Sequence, residues 1–139
     1  MKDEIMKATC HCGNVSVTIA HPPHYINLCD CTLCASSGAA WGYYSSNEVS
    51  VEGATKAYRR ADFDEPYVEL RFCTDCSAAT HWVLTENAQG DKIGVNMRLF
   101  DPSRLDGVEV RTLDGRNWTG EEPAKHRRPT GKLGQDIFI

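Results

Sequence analysis

The sequence predicts an all-β fold, a β-sandwich or distorted barrel with few or no helices. Short segments that alternate apolar and polar residues recur at intervals of roughly ten residues, separated by turn-forming Gly, Pro and Asp. No long segment repeats its apolar residues with helical spacing. The length of 139 residues and the hydrophobic content of 41% are typical of one globular domain.

Charge and hydropathy narrow the classes of partner. The net charge of -4 and the pI of about 5.7 argue against nucleic acid or an anionic membrane as the main partner. A basic cluster at residues 125–128 is predicted to be a solvated tail rather than a binding patch. No apolar run is long enough for a transmembrane helix, and residues 1–5 lack the apolar core of a signal peptide. We therefore expect a cytoplasmic protein, with its oligomeric state left open.

The first third of the chain predicts two strands and a cysteine-rich knuckle. Residues 1–9 are predicted to be a short polar lead-in. Residues 15–19 alternate Val, Val and Ile with Ser and Thr, the pattern of a half-buried strand, and the prolines at 22–23 end it. Residues 25–28 form a second short strand. This strand leads into residues 29–38, which we interpret as a knuckle followed by a loop of small residues.

Alternating apolar and aromatic residues predict seven further strands. They cover residues 39–46, 48–52, 56–60, 67–72, 79–85, 93–99 and 108–112. The aromatic residues of the first of these strands, Trp41, Tyr43 and Tyr44, are expected in the core rather than in the wall of a substrate site.

Loops and the C-terminal segment complete the expected organisation. The acidic stretch at residues 61–66 is predicted to be a solvated turn, and the Asp-Pro start of residues 101–105 predicts one helical turn. We expect a β domain over residues 1–118. Residues 119–139 are rich in Pro, Gly, Lys and Arg and are expected to form a tail, loosely ordered or docked through the apolar residues 137–139.

All seven cysteines lie in three clusters. These clusters are Cys10 and Cys12; Cys29, Cys31 and Cys34; and Cys73 and Cys76. In a reducing compartment, grouped cysteines indicate metal ligands or catalytic thiols more than disulfides, and an odd number does not suit a closed disulfide framework. The clustering therefore predicts metal binding, with zinc favoured over an iron–sulfur cluster.

Two of the clusters together supply the ligands of a closed zinc site. A structural zinc takes four thiolate or imidazole ligands in a tetrahedron, and each short knuckle supplies two of them. We predict that these ligands are Cys10, Cys12, Cys73 and Cys76. Such a site contributes on the order of 10 kcal/mol to folding, comparable to the whole stability of a domain of this size.

The remaining cysteines, Cys29, Cys31 and Cys34, form a three-ligand set. Three protein ligands and an open position are typical of catalytic zinc, and a soft thiolate is a suitable fourth ligand. We predict that these three residues are both metal ligands and catalytic. The spacing alone also allows a fourth protein ligand, drawn from His11, His24, His81 or Asp30.

Three stretches carry a resemblance to a known family. The Cys-x-Cys-Gly start of residues 10–15, the Cys-x-Cys-x-x-Cys of residues 29–34 followed by a small-residue loop, and the Phe-Cys-x-x-Cys of residues 72–76 resemble the glutathione-dependent formaldehyde-activating enzyme family. That family includes the centromere protein V-like proteins. Residues 95–99 and 114–118 also look like its C-terminal part, so that the resemblance covers roughly residues 8–118.

The resemblance implies a Mss4-like zinc-containing fold, shared with Rab-exchange-factor-like zinc proteins and type B methionine sulfoxide reductases. It implies one structural zinc on the four-cysteine set and a second zinc on the three-cysteine set. The family's activity joins glutathione to formaldehyde, giving S-hydroxymethylglutathione, and is classed as a carbon–sulfur lyase. Two positions depart from the family pattern. Many relatives carry arginine after the last central cysteine, where this chain has Ala35-Ser36, and glycine after the last downstream cysteine, where it has Ser77.

Three functional hypotheses follow. The first is a zinc-dependent carbon–sulfur lyase-like enzyme that acts on the adduct of an aldehyde with a small-molecule thiol such as glutathione. The alternative is a non-catalytic zinc-binding β-module for protein interaction, suggested by the changed flank of the central knuckle and the apolar C-terminus. A third is a thiol redox protein that uses Cys31 and Cys34 or Cys73 and Cys76.

Overall fold

Two β-sheets form the protein, and the predicted all-β class is confirmed. The computed structural model describes residues 4–119 and 122–139. Within these ranges there are eleven strands in a three-stranded and an eight-stranded sheet, one short α-helix and no closed barrel. The strands are β1 Met6–Thr9, β2 Ser16–Ile19, β3 Tyr25–Asn27, β4 Trp41–Tyr44, β5 Val49–Glu52, β6 Thr55–Tyr58, β7 Val68–Cys73, β8 Ala79–Leu84, β9 Ile93–Asn96, β10 Glu109–Arg111 and β11 Gly131–Lys132, and the helix α1 is Thr32–Ser37.

The small sheet has the antiparallel order β1-β2-β5. Strand β1 replaces most of the predicted polar lead-in over residues 1–9, of which residues 1–3 lie outside the described residues. Its sequence, Met-Lys-Ala-Thr, is too short and too polar to show a strand pattern. The strand forms because Met6 pairs with Ile19 of β2 and is buried in the main core. The prediction was therefore wrong where a single buried side chain decides the structure.

The large sheet has the order β11-β10-β3-β4-β9-β8-β7-β6. Its neighbouring strands are antiparallel, except that β10 runs parallel to β3. The parallel pairing continues past the strand ends, where Leu28 N donates to Arg111 O at 2.8 Å and Asp30 N donates to Leu113 O at 3.4 Å. The segment after β10 is thereby placed beside the central cysteines.

Helix α1 occupies part of the stretch that was predicted to be a loop. Cys31 is its N-cap, and the Cys31 sulfur accepts a hydrogen bond from Cys34 N. Gly38 ends it in the left-handed conformation, with φ of 70°. The helix has no buried residue, so its two caps stabilise it rather than an apolar face. Short 3-10 helices also form at Ser46–Glu48, Met97–Leu99 and Pro102–Leu105, the last at the predicted helical turn.

The main core lies between the two sheets. Val17 and Ile19 of the small sheet pack with Ile26, Val95 and Val110 of the large one. Trp41 and Tyr44 are also buried, as predicted. The described residues contain no helix long and apolar enough to cross a membrane.

The C-terminal segment contacts this core after the two residues, 120 and 121, that lie outside the described ranges. Strand β11 pairs with β10, and Leu133 is 2% exposed within the main core. Ile137 and Ile139 pack against the same core, whereas Phe138 between them is 75% exposed. The far end of the chain is therefore held by the same apolar cluster as the rest of the fold.

We expect His81 to make the folding free energy depend on pH. Burial lowers the pKa of His81 to about 4, and the positive charge of Arg71 adds to the shift. The unfolded chain, with a histidine pKa near 6.5, then binds more protons than the folded one between about pH 6.5 and 4, so stability falls as the pH falls through this window, by about 3 kcal/mol at most.

Denaturant unfolding of the wild type and His81→Gln from pH 7 to pH 4 measures this term. The cysteine ligands titrate in both proteins, so only the difference between the two profiles reports on His81. Parallel profiles would contradict the prediction.

Candidate metal centres

The first candidate centre joins the two sheets. The sulfurs of Cys10, Cys12, Cys73 and Cys76 all lie within 4.8 Å of one another. Cys12 Sγ is 3.6 Å from both Cys10 Sγ and Cys73 Sγ. A tetrahedral site with zinc–sulfur bonds of about 2.3 Å separates its sulfurs by about 3.8 Å. The donor set and its spacing therefore fit zinc.

Backbone N–H groups surround these sulfurs. Cys10 Sγ accepts from Val15 N at 3.2 Å, and Cys73 Sγ accepts from Asp75 N at 3.4 Å and from Cys76 N at 3.5 Å. Hydrogen bonds from Ala78 N and Cys12 N lower the pKa of the Cys76 thiol to about 6. Such donors stabilise thiolates, the form that binds a metal.

The second knuckle closes through an unusual residue. Ser77 has φ of 66°, the left-handed region, and its N–H donates to Cys73 O at 3.0 Å. Glycine reaches this conformation without the steric cost of a side chain. The turn geometry accounts for the glycine that relatives carry at this position, and the knuckle keeps its shape here with serine.

The second candidate centre holds Cys29, Cys31 and Cys34 at the start of α1. Their sulfurs also lie within 4.8 Å of one another, and no imidazole or carboxylate of the described residues joins the group. Cys31 N donates to Cys29 Sγ and Cys34 N to Cys31 Sγ, each at 3.4 Å. Trp41 Nε1 donates to Cys34 Sγ at 3.4 Å. The structure thus brings the predicted three-residue set together, with one N–H donor for each sulfur.

The four residues considered as a fourth ligand are absent from this group. Asp30 faces Arg127 at 3.7 Å and accepts from Arg116 N. His81 is buried and hydrogen-bonded to Thr80. His24 stacks against His21, and His11 is exposed beside the first centre. The open alternative of a fourth protein ligand is therefore not supported by the described residues.

Arg60 is a site residue that the sequence analysis missed. Its side chain is only 12% exposed. Arg60 Nη1 lies 4.0 Å from Cys31 Sγ, and Arg60 Nη2 donates to Thr32 Oγ1 at 2.9 Å. Asp62, predicted to be in a solvated turn, accepts from Arg60 Nε at 2.8 Å and from Thr32 Oγ1 at 2.9 Å. The network fixes a cation next to Cys31.

The crowding of the three sulfurs changes their acidity. The pKa of the Cys31 thiol is lowered because the Cys29 and Cys34 side chains hydrogen-bond to it, and the charge of Arg60 adds to the effect. The same contacts raise the pKa of Cys29 and Cys34. The cluster therefore concentrates negative charge on the central sulfur.

Gly115 seals one side of this centre. A Cβ atom at Gly115 would lie 2.3 Å from Cys29 Sγ and 3.0 Å from Cys31 Cβ. The close approach results from the parallel pairing of β10 with β3, which carries residues 113–115 past the cysteines. The sequence indicates a turn at Asp114-Gly115 but contains no local signal for this contact.

Two cavities meet the three-cysteine centre. The larger, of about 620 Å³, is lined by Cys29 and Cys31 together with Arg60 and Gly115. The exposed aromatic side chains of Phe63, Tyr67 and Trp118 form its walls. The smaller, of about 280 Å³, is lined by Cys29 and Cys34 and by several arginines. The centre thus faces space of the size that small-molecule sites occupy.

Comparison with known proteins adds a family and a related structure. The profile of the family described as glutathione-dependent formaldehyde-activating enzyme matches residues 5–112. A crystal structure of a Rhodobacter sphaeroides protein superimposes with a TM-score of 0.58 at 27% identity, covering 72% of this chain and 94% of that chain. No curated protein matches by sequence.

We expect two zinc ions per chain in protein purified without oxygen, and one in Cys31→Ser. Removal of the central sulfur leaves two ligands at the second centre, too few for tight binding, whereas the first centre keeps all four. Elemental analysis of zinc and iron together measures both stoichiometries. Ser36→Ala, an exposed change in the same helix, serves as the control and keeps two ions. A single zinc in both wild type and Cys31→Ser would show that the second centre holds none.

Gly115→Ala is expected to weaken the second centre alone. The added methyl group displaces Cys29 Sγ and presses on Cys31, so zinc affinity there should fall by about tenfold or more, as for changes to residues that support metal ligands. Competition with a chromogenic chelator measures both sites in one protein, and the four-cysteine centre is the internal control. Equal affinity at the second centre in wild type and variant would contradict the contact.

Proposed function

The chain belongs to the glutathione-dependent formaldehyde-activating enzyme family, and we propose from this that it joins a small thiol such as glutathione to formaldehyde and cleaves the adduct in the reverse direction. The family match covers residues 5–112. The observation that carries the proposal is the three-sulfur group at the wall of a 620 Å³ cavity, without a fourth protein ligand among the described residues. This arrangement leaves room for a substrate beside the sulfurs.

We propose that Cys10, Cys12, Cys73 and Cys76 hold a structural zinc and that Cys29, Cys31 and Cys34 hold a catalytic one. The fit of the first set rests on the 3.6 Å sulfur separations, and the fit of the second on three sulfurs within 4.8 Å. Zinc at the second set would supply a lowered pKa for a neighbouring thiol and polarisation of a carbonyl group.

The proposed reaction balances without a further reagent. The thiol sulfur forms a bond to the carbonyl carbon of formaldehyde as the carbon–oxygen π bond breaks. The proton of the thiol finishes on the former carbonyl oxygen, giving a hydroxymethyl thioether. The reverse reaction breaks the carbon–sulfur bond and returns the proton to sulfur, which is the lyase direction.

The protein's own groups favour this chemistry in two ways. Phe63, Tyr67 and Trp118 reduce the water in the large cavity, and interactions between charges strengthen where water is excluded. Arg60 adds a fixed positive charge next to Cys31, with its guanidinium 3.8 Å from the centroid of the Phe63 ring. A developing anion in the cavity is thereby stabilised by a group already held in place.

The state of the cysteines supports a cytoplasmic location. All seven thiols are free, with no disulfide between them. Clustered free thiols persist in a reducing compartment. We therefore retain the cytoplasm as the proposed location.

The activity is tested with the zinc-loaded protein, glutathione and formaldehyde. NMR exchange spectroscopy measures the rate of adduct formation above the spontaneous rate. We expect Cys31→Ser to lose about 100-fold or more in rate, because the centre that orients the thiol is lost. Ser36→Ala is the matched surface control and should retain the wild-type rate. A folded, zinc-loaded wild type that does not exceed the spontaneous rate would contradict the proposal.

Absence of turnover would favour the alternative of a non-catalytic zinc-binding β-module. The observation behind that alternative is Phe138, an exposed aromatic side chain between two residues that pack on the core. Under this alternative, Phe138→Ser abolishes binding of a protein partner while the zinc content is unchanged.

A further inference from the structure

The smaller cavity beside the three-cysteine centre is basic. It has a volume of about 280 Å³ and is lined by Cys29 and Cys34 on one side. Three arginines, Arg98, Arg127 and Arg128, contribute to the rest of its lining. Three guanidinium groups around so small a space are unusual in a chain with a net charge of -4.

Backbone hydrogen bonds hold the basic segment in this place. Asp114 N donates to Lys125 O, and Arg127 N donates to Thr112 O, both at 2.8 Å. Arg128 N donates to Thr112 Oγ1 at 3.0 Å. The segment therefore runs antiparallel to the chain that follows β10, with Leu113 opposite His126. The prediction of a solvated tail at residues 125–128 was wrong for Arg127 and Arg128, since both line the cavity.

The charges of the cavity are only partly balanced. Asp30 is the one carboxylate in the lining, and it lies 3.7 Å from Arg127 Nε. Arg127 Nη2 also donates to Leu28 O. The guanidinium groups of Arg98 and Arg128 make no hydrogen bond or ion pair with any residue of the described ranges. Two cations thus remain available to a ligand.

We propose that this basic cavity binds a carboxylate of the thiol substrate, so that the chain selects acidic thiols over neutral ones. The inference rests on the proposed function and specifies its substrate class. Arginine suits the role because its planar fork matches a carboxylate with two parallel hydrogen bonds. Cys29 and Cys34 line the same cavity, so a thiol anchored there by its carboxylate has its sulfur near the centre.

The position of these arginines in the chain makes the inference specific to this protein. Arg127 and Arg128 lie beyond residues 5–112, the part that matches the family profile. They also supply positive charge to a centre whose helix carries Ala35-Ser36, where many relatives carry arginine. The charge reaches the centre from the far end of the chain instead.

Calorimetric titration of the zinc-loaded protein with glutathione and with its diethyl ester tests the proposal. The two ligands share the thiol, but the ester lacks both carboxylates. We expect glutathione to bind the wild type about tenfold more tightly, as for hydrogen bonds to a charged group. The double variant Arg98→Gln/Arg128→Gln should lose this difference and bind the ester as the wild type does. Arg104→Gln removes an exposed arginine that is paired with Glu4 and lines none of these cavities, and should keep the difference.

Each outcome decides the proposal. Equal binding of both ligands to the wild type, equal loss of both in the double variant, or no binding of either ligand would overturn it. Arginine-dependent binding of inorganic phosphate without preference for glutathione would assign the cavity to a free anion and overturn it as well. Turnover measured in parallel separates the two proposals. Preference for glutathione in binding without turnover contradicts only the proposed function, and turnover without such a preference contradicts only this inference.

Discussion

The approach of four sulfurs from two distant knuckles is the constraint on which the rest of the structure depends. Cys10 follows β1 of the small sheet, and Cys73 ends β7 of the large sheet. Four thiolates cannot share so small a volume without a cation between them, because their mutual repulsion in a partly buried site is large. The group therefore joins the sheets only with a metal, and the position of each sheet, including the second cysteine centre, follows from that link.

The same ligand chemistry serves two different purposes because the surroundings differ. The first group has four sulfurs, with Cys10 and Cys73 buried. The second has three half-buried sulfurs that face two cavities, one aromatic and one basic. A complete ligand set favours stability, and an incomplete set beside open space favours substrate binding. The partition of seven cysteines into four and three is thus the central functional feature of the chain.

Sequence patterns predicted the parts of the site that depend on spacing between near neighbours. The strands around the cysteines, and the two cysteine groups themselves, follow from alternation and from short cysteine spacings. Arg60 beside Cys31, Gly115 beside Cys29 and Arg128 in the basic cavity do not, because each contact depends on strand pairing across 29 residues or more. In particular, the parallel pairing of β10 with β3 leaves no local mark in either strand.

The sheet order also has a consequence for the newly made protein. Residues 29–34 leave the ribosome early, whereas the segments that cover them, residues 113–115 and 125–128, are made last. Throughout most of translation the three central thiols have no wall around them. A thiol in that state is open to oxidation and to capture of a wrong metal. The nascent chain therefore passes through a chemically vulnerable interval that ends only when its final strand docks on the sheet.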